Sequence, residues 1–249
     1  KMNTSIEWQM PTLISGDKEV IQWSERTGWA HLYRYTAEGE LVNQITKGEW
    51  HVSNVLGVDD AKRVIYFTAT GYNKDENPYY LHLFRVNYDG TGLKQLDPKD
   101  FNGEFSLSDD RRHFVTTYSR ADAAPVSELY TVEGKKVMTL AEVDLEPLFA
   151  MGYQYPEPFV VKAADGVTDL HGVMFKPYDF DPNKKYPIIE YVYPGPQTEA
   201  VEQSWYQPLV RTDRLAQMGF IVITVGNRGG HPDRSKWYHN YGYGNLRDY

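Results

Sequence analysis

Apolar and aromatic residues alternate with polar ones in short runs through the first 140 residues, and the runs recur. His31-Leu32-Tyr33-Arg34-Tyr35, His82-Leu83-Phe84-Arg85-Val86 and Glu128-Leu129-Tyr130-Thr131-Val132 read as strands, with their leucines 51 and then 46 residues apart. Each run is followed by a glycine (Gly39, Gly90, Gly134) and a second short run, around Leu41–Thr46, Gly92–Leu96 and Lys136–Leu140. Each therefore predicts a hairpin, because glycine enters the positive-φ region that a tight turn requires. Between the hairpins an Asp-containing turn precedes a β-branched and aromatic run: Asp17 before Val20-Ile21-Gln22-Trp23, Asp59-Asp60 before Val64-Ile65-Tyr66-Phe67, and Asp109-Asp110 before His113-Phe114-Val115. Two hairpins per period of about fifty residues make four strands per unit, the repeat of a propeller blade. Residues 1–144 thus predict a partial β-propeller of about three blades. A β-sandwich is the competing architecture, and the common phase of the leucine and Asp-turn series argues against it.

From about Glu142 the pattern changes. Leu145–Pro156 reads as a connector. Pro158–Lys162 and Leu170–Pro177 read as a hairpin around Ala164-Asp165-Gly166. Tyr186–Tyr193, apolar on both faces, predicts an interior strand. Trp205–Met218 predicts a helix with Trp205, Leu209, Thr212 and Ala216 on one face and Gly219 as its stop. Phe220–Val225 predicts a fully buried strand. Strand, crossover helix and strand is the unit of a parallel sheet, whose chemistry sits in loops at the carboxyl ends of the strands. Those loops are Tyr193-Pro194-Gly195-Pro196-Gln197 and Gly226-Asn227-Arg228-Gly229-Gly230-His231. A phenol at Tyr193 is placed either to pack or to donate a hydrogen bond to developing negative charge. The glycine-rich second loop has neither Gly-x-Gly-x-x-Gly nor the Lys-Ser/Thr of a P-loop, so nucleotide binding is not expected.

Composition narrows the function. The net charge is −8 over 249 residues, with 16 basic against 23 acidic side chains in 1–150 and 10 against 11 in 151–249. An acidic chain without a basic stretch is a poor nucleic-acid partner. With no cysteine there is no disulfide, thiolate metal site or cysteine nucleophile. The seven histidines show no metal-ligand spacing, and the shared repeat position of His31 and His82 argues for a structural role. No metal, cofactor or membrane span is expected. Lys1–Trp8 lacks the apolar core of a signal peptide.

Thr27-Gly28-Trp29-Ala30-His31-Leu32-Tyr33, Ile45-Thr46-Lys47-Gly48-Glu49-Trp50, Lys184-Lys185-Tyr186-Pro187, Val192-Tyr193-Pro194-Gly195-Pro196 and Asn227-Arg228-Gly229-Gly230, in that order, resemble the dipeptidyl peptidase IV branch of the prolyl oligopeptidase family. The resemblance implies β-propeller blades followed by the N-terminal part of an α/β-hydrolase domain, over 145–249. It implies a serine exopeptidase that releases N-terminal dipeptides, with tripeptides as an alternative, often after proline. Peptides would be its substrates, and bacterial members of the family are commonly in the periplasm or cell envelope. It matches Tyr193 to the family's oxyanion-stabilising tyrosine and Arg228 to a loop arginine that organises the loop or contacts substrate. Pro194 departs from the family's usual Ala-Gly-Pro or Gly-Gly-Pro after that tyrosine. No Gly-x-Ser-x-Gly elbow and no Glu-Glu pair occurs in the sequence, so the chain alone is expected to be an inactive fragment. A propeller-based binding module with a non-catalytic tail is the alternative function. Three blades do not close a ring, so exposed blade faces and self-association are expected.

Overall fold

In the computed structural model, which describes residues 9–193, 201–205 and 212–245, the elementary unit is a four-stranded antiparallel meander. The first comprises β1 (Thr12–Ile14), β2 (Glu19–Ser24), β3 (His31–Thr36) and β4 (Leu41–Gln44). The second comprises β5 (His51–Asp59), β6 (Val64–Thr70), β7 (His82–Asn87) and β8 (Lys94–Gln95). The third comprises β9 (Asn102–Leu107), β10 (His113–Arg120), β11 (Ala123–Thr131) and β12 (Lys136–Glu142). The repeat read from the leucines is therefore the repeat of the fold. Gly39, Gly90 and Gly134 have φ of 92°, 87° and 82°. Their amides donate to Thr36, Asn87 and Thr131 carbonyls at 3.0, 2.9 and 2.8 Å, so one turn geometry is used three times.

The middle unit is buried on both faces, which explains why all of β6 is inaccessible. Ile65, Phe67, Ala69, Phe84 and Val86 meet Ile21, Trp23, Leu32 and Trp50 on one side. Val64, Tyr66 and Leu83 meet Phe114, Tyr130 and Val132 on the other. Rings of Phe67 and Phe84 stack at 5.7 Å, and the Trp50 ring lies 6.2 Å from Phe67. Each buried aromatic side chain contributes roughly 2 to 3 kcal/mol. Polar bonds set the alignment: Trp23 Nε1 donates to the Val52 carbonyl at 2.7 Å. Asp60 accepts from the Ser15 amide at 2.8 Å and from the Tyr88 hydroxyl at 2.7 Å. That Asp turn joins two sheets as well as solvating its loop.

A fourth sheet contains β13 (Glu157–Lys162), β14 (Asp169–Phe175), β15 (Ile188–Tyr191) and β16 (Ile221–Val225), in the order β13-β14-β16-β15. β13 and β14 form the expected hairpin, and β15 and β16 pair in parallel. Short helices α1 (Glu146–Phe149), α2 (Thr212–Ala216) and α3 (Lys236–His239) complete the described elements. Three expectations change. The strand after Tyr186 is not interior: among the described residues β15 pairs only with β16, and Ile188 is 65% exposed. β16 is not fully buried but alternates, with Val222 and Thr224 inward, because only one face meets the core. Trp205 lies outside the helix, whose described part begins at Thr212, and Leu209 falls outside the described residues. Gly219 does end that segment, with φ of 96°.

The first strand-run residue in each hairpin is buried: His31, His82 and Glu128. His31 bonds Thr46 Oγ1 at 3.1 Å through Nδ1 and the Gly48 carbonyl at 2.9 Å through Nε2. Burial lowers its pKa to about 4, so it is neutral. His82 has carboxylates in both places, Asp97 Oδ2 at 2.7 Å from Nδ1 and Glu76 Oε1 at 2.7 Å from Nε2. Burial opposes its charge, but the bonds and fields of Asp97 and Glu76 win and raise it to about 9.

The two histidines give opposite pH dependences. The contribution of His82, raised above the ordinary 6.5, is complete below pH 6.5 and lost as pH rises through about 9. That of His31, lowered, is complete above 6.5 and lost as pH falls through about 4. Urea unfolding near neutrality is expected to show His82→Gln costing about 3 kcal/mol, because it strands a buried carboxylate. His31→Gln is expected to cost only about 1 kcal/mol. His82→Gln should also flatten the loss of stability between pH 6.5 and 9; equal costs with an unchanged alkaline limb would refute this assignment.

Candidate functional site

The parallel pair sets the geometry of the site. Tyr191 is in register with Thr224, so the segments leading to Tyr193 and Arg228 leave adjacent strands at the same end of the sheet. Because β14 runs antiparallel to β16, the Asp165 turn and the start of β14 lie at that end as well. This end faces the second meander and its β6–β7 loop. Between them runs a cleft of about 540 Å³ lined by Lys74, Asp75, Glu76, His171 and Glu202 among others. A neighbouring one of about 320 Å³ is lined by Lys74, Glu76, His171, Asp233 and Arg234.

Tyr193 lies just beyond β15 and is 50% exposed. The Pro194–Gln197 part of its loop is outside the described residues. Arg228 is committed locally. Its guanidinium meets Asp165 Oδ2 at 2.7 Å and lies 3.5 Å from the centre of the Tyr241 ring. Asp165 also accepts from the Val167 and Thr168 amides and from the Thr168 hydroxyl; these bonds, led by the hydroxyl, hold its carboxyl far below the usual range. Arg228 therefore ties the β13–β14 turn to the loop after β16. The structure places Tyr193 and Arg228 at one end of the sheet without recording a contact between them.

Residues not singled out in the sequence hold this seam together. Asp233 meets His51 Nε2 at 3.3 Å, accepts from Ser53 Oγ at 3.3 Å, and offers its carbonyl to Thr70 Oγ1 at 3.0 Å. The Lys236 amide donates to the Gly28 carbonyl at 2.8 Å. Gly28 has φ of 91°, and a Cβ there would stand 1.8 Å from the Trp237 ring, so the close approach depends on glycine. Arg234 stacks 4.2 Å over Tyr238 and donates to the Asp169 carbonyl at 2.7 Å. At the far side Asn77 Nδ2 donates to Gln203 Oε1 at 2.8 Å, and Asn102 Nδ2 to Ser204 Oγ at 2.9 Å. The legible signal was the polar run Asn227–Arg234 directly after a strand in a parallel pair. Its partners in the second meander are about 160 residues or more away, as the 163 separating Thr70 from Asp233 shows, and no local pattern reveals them.

The β6–β7 loop that carries Lys74, Asp75 and Glu76 is anchored through Glu76. This carboxylate bonds His82 and accepts from Asn73 Nδ2 and the Asp100 amide, each at 2.7 Å. Burial raises its pKa, and the bonds from His82 and Asn73 outweigh that and leave it lowered. Glu76 thus lines the cleft as an anion with its oxygens occupied. No group of three or more His, Cys, Asp or Glu able to hold a metal occurs among the described residues.

Comparison with known proteins adds the lineage. Residues 4–125 match the family model of the dipeptidyl peptidase IV (DPP IV) N-terminal region. A dipeptidyl peptidase 4 of Arthroderma otae is 30% identical over 226 residues, and that of Trichophyton rubrum 30% identical over 228. In both cases the match covers 87% of this chain and 28% of the relative, so the chain spans under a third of their length. Among solved structures, a putative dipeptidyl aminopeptidase IV from Bacteroides ovatus superposes with a TM-score of 0.77 at 29% identity, covering 94% of this chain and 35% of the other. Dipeptidyl peptidase 4 of Porphyromonas gingivalis gives 0.77 at 24%, covering 94% and 32%, a likeness of fold. The blade-like meanders, their order and these matches together identify residues 4–125 as a dipeptidyl peptidase IV N-terminal region, within a chain that resembles that family over 87% of its length.

Proposed function

We propose that this chain is part of a serine peptidase that releases dipeptides from the amino ends of peptides, often after proline. The relatives named dipeptidyl peptidase 4, matching over 87% of the chain, carry this reading. In it, residues 1–144 are propeller blades and 145–249 open an α/β-hydrolase domain. The parallel β15–β16 pair with helical α2 between its strands supports that division. So does the resemblance to a solved relative across 94% of the chain.

Tyr193 is the oxyanion donor in this reading. Its half-exposed phenol follows a strand of the parallel pair, at the sheet end that faces the cleft. Arg228 acts as a loop organiser, because Asp165 and Tyr241 already occupy its guanidinium. The nucleophile belongs to a part of the protein other than these 249 residues, which contain no Gly-x-Ser-x-Gly. The family resemblance favours a location in the periplasm or cell envelope, as is common among bacterial members. The outer meanders also favour self-association: Leu13, Val20, Tyr35 and Leu41 form one cross-strand row and Val115, Leu129 and Met138 another. Leu13, Leu41 and Met138 are each more than half exposed.

Hydrolysis kinetics, thermal unfolding and light scattering test this. Residues 1–249 alone should not hydrolyse an Ala-Pro chromogenic dipeptide, whereas the longer polypeptide should. There Tyr193→Phe should lower kcat about 100-fold with little change in KM, and Arg228→Gln should reduce thermal stability while leaving KM within about twofold. Hydrolysis by the 249 residues, or an unchanged kcat in the Phe variant, would overturn the assignment. Light scattering of residues 1–249 should show concentration-dependent association; a monodisperse monomer would count against exposed blade faces.

A further inference from the structure

Glu202 also lines a third cavity, of about 170 Å³, whose lining includes Tyr153, Tyr155, Tyr178, Trp205 and Asp213. That is roughly ten times the ~15 Å³ that a single water requires. Its walls come from the β10–β11 turn at Ala121, the connector around α1, the segment after β14, the 201–205 segment and α2, and hydrogen bonds tie them to one another and to the blades. The Tyr153 amide donates to the Leu148 carbonyl at 3.0 Å. The Tyr178 amide donates to Gln217 Oε1 at 3.0 Å, and Gln154 Nε2 to the Tyr178 carbonyl at 3.1 Å. The Trp205 amide donates to Ser119 Oγ at 3.1 Å, and its Nε1 to the Tyr153 hydroxyl at 2.7 Å.

The aromatic rings meet at steep angles and form a corner rather than a flat stack. Tyr153 lies 5.8 Å from Tyr155 at 72° and 5.8 Å from Tyr178 at 79°. Phe149 backs Tyr153 and Tyr155 at 5.9 and 5.4 Å. A hydrophobic connector alone would account for the rings, but not for the acid beside them. Glu202 is partly buried with no ion pair or hydrogen bond to its carboxylate among the described residues, and desolvation raises its pKa. Among the described residues of the lining the one base, Lys176, is already held by both oxygens of Glu157 at 2.7 Å and lies 4.7 Å from the Phe180 ring centre. Asp213 lies near Tyr178, whose hydroxyl pKa is raised by burial and then by that carboxylate. Aromatic rings set at angles around a partly desolvated carboxyl match an organic cation: the rings offer negative faces, and the carboxylate gains a counter-charge that no described residue supplies.

We propose that this cavity binds a small organic ammonium ion, with its charge beside Glu202 and its alkyl groups against Tyr153, Tyr155, Tyr178 and Trp205. The test is calorimetric titration of the 249-residue chain at low ionic strength with choline and with its neutral isostere 3,3-dimethylbutan-1-ol. Choline should bind at least about tenfold more tightly than the isostere, and Glu202→Gln should weaken choline at least about fivefold while leaving the isostere unchanged. Tyr178→Leu should weaken choline likewise, and it supplies a second variant if the first does not fold. Equal affinity for the two ligands, no heat with choline, or a folded Glu202→Gln chain that binds choline as well as the wild type would each overturn the proposal.

Discussion

The buried cluster Glu76–His82–Asp97 is the interaction on which the rest of the structure turns. It is an imidazole held at 2.7 Å by one carboxylate on each nitrogen, in the middle of three stacked sheets. Asp97 also accepts from the Leu83 amide at 2.8 Å, so one side chain closes the β7–β8 edge and holds the histidine. Glu76 carries the same interaction outward to the loop that walls the cleft. A charged cluster in so dry a place is costly unless every partner is present. Its geometry is accordingly complete, with Asn73 and the Asp100 amide on the remaining Glu76 sites.

The three meanders fill one buried position in three ways. His31, His82 and Glu128 occupy it, and in the first two sheets the backbone amide that follows it donates to a side chain from beyond the next strand. In the first sheet a neutral His31 and Thr46 suffice, with Thr46 Oγ1 receiving the Leu32 amide at 3.0 Å. In the second, Asp97 stands 51 residues after Thr46, takes the Leu83 amide on one oxygen and holds His82 Nδ1 on the other. In the third, Glu128 takes the place of histidine and is satisfied by the Tyr130 hydroxyl at 2.7 Å and by Lys136. The equivalent buried position is thus filled by a neutral, a cationic and an anionic group. The second sheet uses its version to fix the β6–β7 loop, which reaches the fourth sheet.

Much of this fold was legible because its signals are local and periodic. The leucine series, the turn glycines and the Asp turns each repeat near fifty residues, and strand burial enforces that repeat. The structural role of His31 and His82 followed from their shared position, but the difference in charge did not, because it depends on Glu76 and Asp97 placed by the fold. The β15 strand was misread for a related reason. Two apolar faces are the mark of an interior strand, yet pairing depends on neighbours distant in sequence. Tyr193 and Arg228 were found as ends of strands, whereas Asp233, which joins the loop to His51, Ser53 and Thr70, was hidden by 163 or more residues of separation. The tyrosines around Glu202 were likewise unreadable, since the cavity walls come from segments well separated in the chain.

Fixing the cleft loop by charge requires His82 to be an imidazolium at neutral pH, and NMR titration of its ring nitrogens reports that state. The structure calls for an apparent pKa near 9, with both nitrogens protonated at pH 7. A pKa at or below the ordinary 6.5, with a single protonated nitrogen at pH 7, would contradict it.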